Sequence, residues 1–221
     1  MVVPLPKVAG TIGRGTFLVF IPFYVAKISS ANYVLTNYES GLAIFSRFLF
    51  FANEVVSYQS TSKTEIETRK ALIAGIALPL GQGNITVANT HLSWKTEDEP
   101  VRLGQVQELL KMVSQKHGAF LLAGDFNDIP QSEPIKEIKN AGYFDLLELL
   151  HPGDPNITWD NQNPFIQTHS VKFPDRRIDF LLANQPMLEA HPPQICDVVF
   201  TRPNAKGIYP SDHYGVFAEV G

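Results

Sequence analysis

The sequence predicts a layered α/β fold in a single domain that covers residues 1–221. The chain has 221 residues, a usual length for one domain with a well-buried core. It is 44% hydrophobic and 18% charged, a composition typical of globular proteins. Segments with strand and helix signatures both occur throughout the chain, and apolar strands need cover on both faces. These observations together favour packed layers of sheet and helix.

The predicted strands are short apolar or alternating segments separated by turn residues. Gly41 opens one such segment, and residues 84–90 alternate between polar and apolar side chains, as a half-buried strand does. Residues 119–123 are all apolar and run into Gly124-Asp125. The full set of predicted strands is 41–46, 70–78, 84–90, 119–123, 177–182, 197–200 and 214–220.

Two segments predict helices. The longer one begins among the acidic residues 97–99, which suit the positive end of a helix, with Pro100 in its first turn. Four apolar residues between 106 and 113 then repeat at helical spacing. A second helix is predicted over residues 132–142. Residues 154–165 are rich in Pro, Asn and Asp, which predicts a long loop.

The composition argues against several classes of protein. The net charge of −4 lowers the expectation of broad contact with nucleic-acid backbones, although it leaves room for a local basic groove. Cys196 is the only cysteine, so an intramolecular disulfide and a zinc site built from several thiolates are excluded. No run of about 18 apolar residues is present, so we expect no membrane-spanning helix.

Residues 16–26 have the outline of a signal peptide, because Lys7 and Arg14 precede a short apolar segment. Pro22 interrupts that segment, and no clear cleavage site with small residues follows. We therefore expect a strand and a loop here, and a cytoplasmic rather than a secreted protein.

Four short polar segments lie at or just past the ends of predicted strands, where a sheet presents side chains to a cleft. They are Asn89-Thr-His-Leu92, Gly124-Asp-Phe-Asn-Asp128, Arg177-Ile-Asp-Phe180 and Ser211-Asp-His213. Hydrolysis of a phosphoester requires a cation on oxygen ligands, a base, and donors for the phosphoryl oxygens. The histidines, carboxylates and asparagine of these segments supply most of that set. Taken singly each motif is weak, because a lone histidine is more often structural.

In this order, the four segments resemble the motifs of the endonuclease/exonuclease/phosphatase superfamily. Residues 41–47, Gly-Leu-Ala-Ile-Phe-Ser-Arg, are similar to a further strand of that family, so the resemblance covers about residues 40–221. It implies a deoxyribonuclease-like four-layer fold, a two-sheet sandwich with helices on the outer faces, whose N-terminal part is incomplete. It also implies a hydrolase of phosphoester bonds that depends on Mg²⁺ or Mn²⁺ and acts by in-line attack of water.

The resemblance implies a catalytic role for each of five motif residues. His213 is the expected general base, and Asp179 is expected to bind it and fix its tautomer. His91 is expected to donate to a phosphoryl oxygen. Asp125 is expected to protonate the leaving group or align water, and Asn127 to bind the phosphate. Because Asp125 and Asn127 lie two residues apart, an extended backbone would point both side chains the same way.

The same resemblance implies sites for metal and substrate. Asp212 and Asp125 are the expected metal ligands, with Mg²⁺ or Mn²⁺ as the cofactor. The expected substrate-binding residues are Asn127, His91, Trp94 and Trp159. Trp94 follows His91 closely, and Trp159 lies in the predicted long loop. An alternative role for Trp159 is to anchor that loop onto the core.

The N-terminal segment departs from the family pattern. The family opens with a strand that ends in Asn and continues with a strand that ends in Gln-Glu, whose Glu is the main metal ligand. Residues 1–35 contain no acidic residue at all. Three explanations are open: a truncated product, a partner segment that completes the fold, or another acid, such as Glu39 or Glu54, that takes over the metal.

The substrate class stays open among three hypotheses. The acidic charge favours a small-molecule or lipid phosphodiester, of which a neutral sphingomyelinase-like activity is one form. The first alternative is a nuclease that acts on DNA or RNA, and the second is a catalytically impaired member that acts as a binding module. Arg176 and Arg177 either contact a phosphate or are simply solvated. The apolar run 48–51 is either a membrane contact or surface left bare by the absent N-terminal motifs.

Overall fold

The computed structural model describes residues 16–20, 32–35 and 41–221. The strands are β1 (Thr16–Phe20), β2 (Asn32–Leu35), β3 (Ala43–Ser46), β4 (Phe50–Ser57), β5 (Lys70–Ala77), β6 (Asn84–His91), β7 (Ala119–Asp125), β8 (Tyr143–Asp145), β9 (Asp179–Asn184), β10 (Pro193–Val199) and β11 (Gly215–Val220). The helices are α1 (Glu99–Ser114), α2 (Glu133–Asn140), α3 (Leu146–Leu150) and α4 (Gln185–Ala190). Single turns of 3-10 helix lie at Thr96–Asp98 and Ile166–Thr168.

In the described part of the chain the strands form three sheets. The largest has six strands in the order β4-β5-β6-β7-β9-β8. A second sheet has the order β1-β11-β10, and β2 pairs with β3. Within the six-stranded sheet β6 and β7 are parallel, whereas all other neighbours are antiparallel. The parallel pair is joined through α1, which is the crossover that such a pair requires.

The six-stranded sheet is covered on both faces, as its apolar strands predict. On one face Leu121 packs in a cluster that includes Val216 of β11 and Cys196 of β10. On the opposite face the sheet packs against α1 and α2, whose Leu109 and Ile135 are completely buried. The resulting layers confirm the two-sheet α/β sandwich, and α1 and α2 form its outer layer on the six-stranded sheet.

The side chains of the apolar run at residues 48–51 point alternately toward the core and toward solvent. Phe48 and Phe50 pack against the cluster between the sheets. Leu49 and Phe51 are 71% and 57% exposed, respectively. The ring of Phe51 lies over Gly75 of β5, in space that a Cβ atom there would occupy. Within residues 48–51 only every second side chain therefore faces outward, and the run leads into β4, a mostly exposed edge strand of the six-stranded sheet.

The predicted helices and strands are confirmed within a few residues at each end wherever the chain is described. Strand β1 confirms the strand expected at the start of residues 16–26, and the rest of that segment lies outside the described residues. The sequence did not predict β2, β4, β8, α3 or α4, because β4 is mostly exposed and the others have six residues or fewer. None of the described helices is long and apolar enough to cross a membrane.

Candidate active site

Strand register places three of the predicted site residues in one row. His91 at the end of β6 pairs with Asp125 at the end of the parallel strand β7. Asp125 in turn pairs with Asp179, the first residue of the antiparallel strand β9. The row therefore runs His91, Asp125, Asp179 across three adjacent strands. Two of these side chains are almost fully buried, Asp125 at 4% and Asp179 at 5% exposure.

A glycine allows this row to form. Gly124 has a φ of +134°, a conformation that residues with a side chain rarely adopt. A Cβ atom at this position would lie 1.9 Å from the carbonyl oxygen of Thr90 on β6. The absence of a side chain lets β7 approach β6 immediately before Asp125.

His213 reaches the row from the second sheet, two residues before β11. Its Nδ1 donates to Oδ2 of Asp179 at 2.9 Å, and its Nε2 lies 3.8 Å from Oδ2 of Asp125. Burial by itself lowers the pKa of His213, but the carboxylates of Asp179, Asp125 and Asp212 outweigh burial and raise this pKa to about 10. The imidazole is therefore protonated at neutral pH in the resting site.

Asp125 lies between two histidines. Its Oδ2 is 3.5 Å from Nε2 of His91 and 3.8 Å from Nε2 of His213. Burial, followed by the charge of Asp179, raises the pKa of Asp125 in spite of the two histidines. Burial lowers the pKa of His91 to about 4, although the Asp125 carboxylate opposes this shift. His91 is therefore neutral at neutral pH, and with 37% of its side chain exposed it is open to the pocket.

The structure contradicts the expectation that an extended backbone carries Asp125 and Asn127. Asn127 has a φ of +52°, so the chain turns sharply after β7 instead of continuing as a strand. The backbone N–H of Asn127 donates to Oδ1 of Asp125 at 2.8 Å, which closes the turn. The Asn127 side chain donates to the carbonyl oxygen of Leu92 at 3.0 Å. Asn127 therefore reaches the site through a turn that ties it to the segment after β6.

Asp212 is held by its neighbours and by a histidine that the sequence analysis did not single out. Its Oδ1 accepts from Oγ of Ser211 at 3.0 Å and from the backbone N–H of His213 at 3.2 Å. Its Oδ2 lies 3.0 Å from Nε2 of His169. Burial raises the pKa of Asp212, but His213 and these hydrogen bonds outweigh burial and lower it. His169 follows a 3-10 turn in the long loop, where no motif marked it.

Two buried ion pairs fix the segment that follows His91. Nε of Arg102, in α1, donates to Oδ2 of Asp128 at 2.7 Å, and its Nη1 donates to the carbonyl oxygen of Lys95 at 2.7 Å. Glu65 accepts from the backbone N–H of Trp94 at 2.7 Å and from Nε of Arg69 at 2.8 Å. These contacts hold the loops on either side of the row in place.

A pocket of about 610 Å³ opens over the row. It is lined by His91, Asp125, Asn127, Asp212 and His213, and by both tryptophans. This volume falls within the usual range for small-molecule and cofactor sites.

The two tryptophans occupy different environments. Lys95 lies over Trp94, with its Nζ 4.2 Å from the ring centroid. Trp159 is only 6% exposed, and its ring meets those of His213 and His169 edge-on, with centroids 5.0 and 5.1 Å away. Trp159 packs with Ile166 and Ile178 beneath the long loop, so it anchors that loop and also forms a wall of the pocket.

The donor set at the floor of the pocket fits a divalent cation. One ligand atom each of Asp125, Asp179 and His213 lies within 4.8 Å of the others. Because the protonated His213 has no free ring nitrogen, the two carboxylates are the groups of this set that could hold a cation. Burial and the nearby charge of Asp179 raise the pKa of Asp125, so a positive charge between the two carboxylates would be favoured. Glu54, considered above as a replacement ligand, pairs instead with Lys116 and does not line the pocket. Glu39 lies outside the described residues.

Residues 6–213 match the model of the endonuclease/exonuclease/phosphatase family. This chain belongs to that family. The match begins well before residue 40, the point from which the motifs were expected to follow the family. All four polar motifs lie within the matched region, and the resemblance inferred from them is confirmed.

Solved structures share the fold of this family member. D. rerio TDP2 complexed with single strand DNA product is 20% identical, with a TM-score of 0.71, over 87% of this chain and 77% of that chain. Truncated Caenorhabditis elegans TDP2 is 20% identical, with a TM-score of 0.67, over 86% and 75% of the two chains. A family protein from Leptotrichia buccalis is 19% identical, with a TM-score of 0.62, over 95% and 73%. At these identities the similarity establishes the fold.

One curated relative also matches. An uncharacterised protein of Caenorhabditis elegans is 34% identical over 95 residues, which is 38% of this chain. The matched region spans 29% of that relative's length.

Proposed function

We propose that this chain is a metal-dependent hydrolase of phosphodiester bonds in nucleic acid that acts by in-line attack of water. The observation that carries the proposal is the buried pair of His213 and Asp179, with Asp125 and His91 beside it on the floor of the pocket. Membership of a family of phosphoesterases and nucleases supports the reaction class. One structural neighbour, D. rerio TDP2, holds a single-stranded DNA product, which supports a nucleic-acid substrate.

The proposed general base is His213, and Asp125 is proposed to accept its Nε2 proton before water attacks. In the proposed first step the Nε2 proton of His213 passes to Asp125, because burial raises the pKa of Asp125 and its Oδ2 faces Nε2 at 3.8 Å, a distance that must shorten for the transfer. The neutral Nε2 then accepts a proton from the attacking water, while Asp179 keeps the other ring nitrogen protonated. Asp125 gives its proton to the leaving oxygen, so both groups serve one turnover.

The proposed phosphate ligands are His91 and Asn127. His91 is neutral, so it donates one hydrogen bond to a phosphoryl oxygen without adding a charge. The side-chain nitrogen of Asn127 donates one hydrogen to Leu92, which leaves its second hydrogen for the substrate. Such fixed donors stabilise the charge that builds on the phosphoryl oxygens.

The proposed metal ligand is Asp212, which lines the same pocket as Asp125. Asp125, the second ligand expected from the sequence, is assigned to proton transfer, because its protonated carboxyl group could not hold the ion. A bound Mg²⁺ or Mn²⁺ would neutralise the phosphoryl charge. The lowered pKa of Asp212 keeps its carboxylate charged and suited to this role. Trp94 and Trp159 are proposed to contact the groups on either side of the scissile bond.

The comparisons favour nucleic acid over the small-molecule or lipid substrate that the charge alone suggested. The exposed residues of the run 48–51 alternate with buried ones, so the run does not offer the continuous apolar surface that a lipid contact would use. Local positive charge at the pocket comes from Lys70 and Arg176, whereas the charge of Arg69 is balanced by Glu65. These residues supply the basic groove that a net charge of −4 does not exclude.

A comparison of substrates tests the proposal. The purified chain is given a fluorescent single-stranded oligonucleotide or vesicles of a phosphocholine lipid, each with Mg²⁺ or Mn²⁺. We expect cleavage of the oligonucleotide only, and loss of that cleavage in the His213→Ala variant. Lipid cleavage that depends on His213 would overturn the choice of substrate. Stoichiometric binding without turnover of any phosphodiester would instead favour the catalytically impaired binding module.

A further inference from the structure

Arg176 differs from the other arginines that are withdrawn from solvent in the described chain. Three buried arginines each form an ion pair with a carboxylate. These pairs are Arg69–Glu65 at 2.8 Å, Arg102–Asp128 at 2.7 Å and Arg177–Asp145 at 2.6 Å. Arg176 is half-buried, and no residue of the described ranges provides its side chain with a hydrogen bond or an ion pair. The adjacent arginines 176 and 177, alike in sequence, therefore have different roles.

Arg176 is nevertheless held firmly in position. Its backbone forms an isolated β-bridge with Trp159, with N–H to oxygen distances of 3.0 and 2.9 Å in the two directions. The guanidinium carbon lies 3.8 Å from the ring centroid of Phe173 and 5.8 Å from that of Trp159. Such stacking fixes the plane of a guanidinium without neutralising its charge. Arg176, Phe173 and Trp159 line the same pocket as His213.

The wall formed by these residues contains two donors without acceptors. Nε of Arg176 and Nε1 of Trp159 are both shielded from solvent and have no hydrogen-bond partner among the described residues. Burial lowers the pKa of Arg176, and the charges of Asp125, Asp128 and Asp179, none of which forms an ion pair with it, offset that effect only in part. Buried donors are nearly always paired in folded proteins. The unpaired guanidinium of Arg176 beside the proposed reaction centre therefore favours the binding of an anionic ligand.

We infer that Arg176, stacked on Phe173 and bridged to Trp159, binds a phosphate of the nucleic-acid strand in this pocket. The inference rests on the proposed function, because it names the residue that recognises the backbone of that substrate. The planar guanidinium presents paired N–H donors that match two phosphate oxygens. Arg177 has the opposite role, since its pair with Asp145 makes it part of the buried framework.

Binding of a single-stranded oligonucleotide to the His213→Ala protein tests this inference without any need for turnover. Fluorescence anisotropy is measured over a series of salt concentrations for that protein and for the same protein carrying Arg176→Met or Arg176→Lys. Methionine keeps much of the apolar packing but removes the charge and all donors. We expect Arg176→Met to weaken binding about 10- to 100-fold, as the loss of a charge-assisted hydrogen bond does. The slope of log affinity against log salt should fall by about 0.7.

The matched control is Arg202→Met, which removes the same charge from an exposed residue outside the pocket. This control should leave affinity within twofold, and Arg176→Lys should give an intermediate loss because it keeps the charge without the planar fork. A strand with an uncharged methylphosphonate backbone should bind the parent and the Arg176→Met protein equally weakly. Circular dichroism melting verifies that each variant is folded.

The outcomes separate the inference from the function on which it rests. Unchanged affinity and salt slope in Arg176→Met would overturn the inference, even if the wild-type chain cleaves the strand. Failure of the parent protein to bind the oligonucleotide would overturn it as well. Binding that depends on Arg176 in a chain that cleaves no phosphodiester would support the inference while refuting the proposed catalysis.

Discussion

Replacing Asp179 with asparagine would remove one charge from the buried centre while leaving its shape almost unchanged. Asp179 accepts from Nδ1 of His213 at 2.9 Å, and both residues are almost fully buried. An amide oxygen at position 179 can still accept that hydrogen bond, but it cannot stabilise a charged ring to the same extent. Since Asp179 contributes most to raising the pKa of His213, we expect this pKa to fall well below about 10 in the variant.

The expected kinetic effect follows from the strength of this interaction. A hydrogen bond to a charged group is worth about 1.5–3 kcal/mol, which corresponds to a factor of about 10–150 in rate. Removal of a correctly positioned general base costs about 10²–10⁴ in rate. Because Asp179→Asn keeps the base, we expect its kcat to fall by about 10–150-fold, at the low end of the loss for removing the base. KM should be nearly unchanged, because Asp179 acts on His213 and not on the substrate.

Steady-state hydrolysis of an oligonucleotide measures kcat and KM, and NMR titration of the His213 ring measures its pKa. The double variant Asp179→Asn, His213→Ala provides the decisive comparison. Because Asp179 acts through His213, the double variant should be within a few-fold of His213→Ala alone. Multiplicative losses, or an unchanged pKa of His213, would refute the reasoning.

Three further predictions concern the framework of the site. Asp145→Ala should destabilise the fold by about 3–5 kcal/mol in urea denaturation, because it leaves the buried guanidinium of Arg177 without its carboxylate; a loss below 1 kcal/mol would contradict this. Gly124→Ala should lower the free energy of unfolding by more than about 2 kcal/mol in the same urea experiment, because its Cβ would lie 1.9 Å from a carbonyl oxygen. The control Gly83→Ala also has a positive φ but no atom within 4 Å, and it should lower the free energy of unfolding by about 1 kcal/mol. The folded-state pKa of His91 is about 4, below the ordinary 6.5, so the unfolded chain binds the proton first as the pH falls. Wild-type stability relative to His91→Asn should therefore decline as the pH falls from about 6.5 to about 4. A difference that stays constant over this range would be inconsistent with a neutral His91 in the folded protein.

Much of the site was predictable because its residues lie at the ends of apolar strands. Residues 119–123 form a short apolar run that predicts a buried strand, so the polar residues directly after it were expected at one edge of a sheet. The same reasoning holds for His91 and Asp179. Strand order was not predictable in this way, since the row depends on a parallel pairing of β6 with β7 and an antiparallel pairing of β7 with β9.

Other features depend on long-range contacts that no local pattern records. His169 reaches Asp212 only because the long loop folds back over the pocket. Arg176 and Arg177 are neighbours in sequence but have different partners. Arg177 pairs with Asp145, 32 positions away, whereas Arg176 stacks on Phe173. The expectation for Asn127 was wrong because two hydrogen bonds stabilise a left-handed turn that sequence spacing does not reveal.

The measurement that tests the central proposal most directly is hydrolysis of a chromogenic phosphodiester by the purified chain. It is run with Mg²⁺ or Mn²⁺, with EDTA, and beside His213→Ala, with circular dichroism to show that each protein is folded. We predict turnover that needs the cation and that the variant lacks, because the charged centre of His213, Asp179 and Asp125 is the proposed proton-transfer machinery. Turnover that persists in EDTA or in His213→Ala, or no turnover from a folded chain, would contradict that proposal.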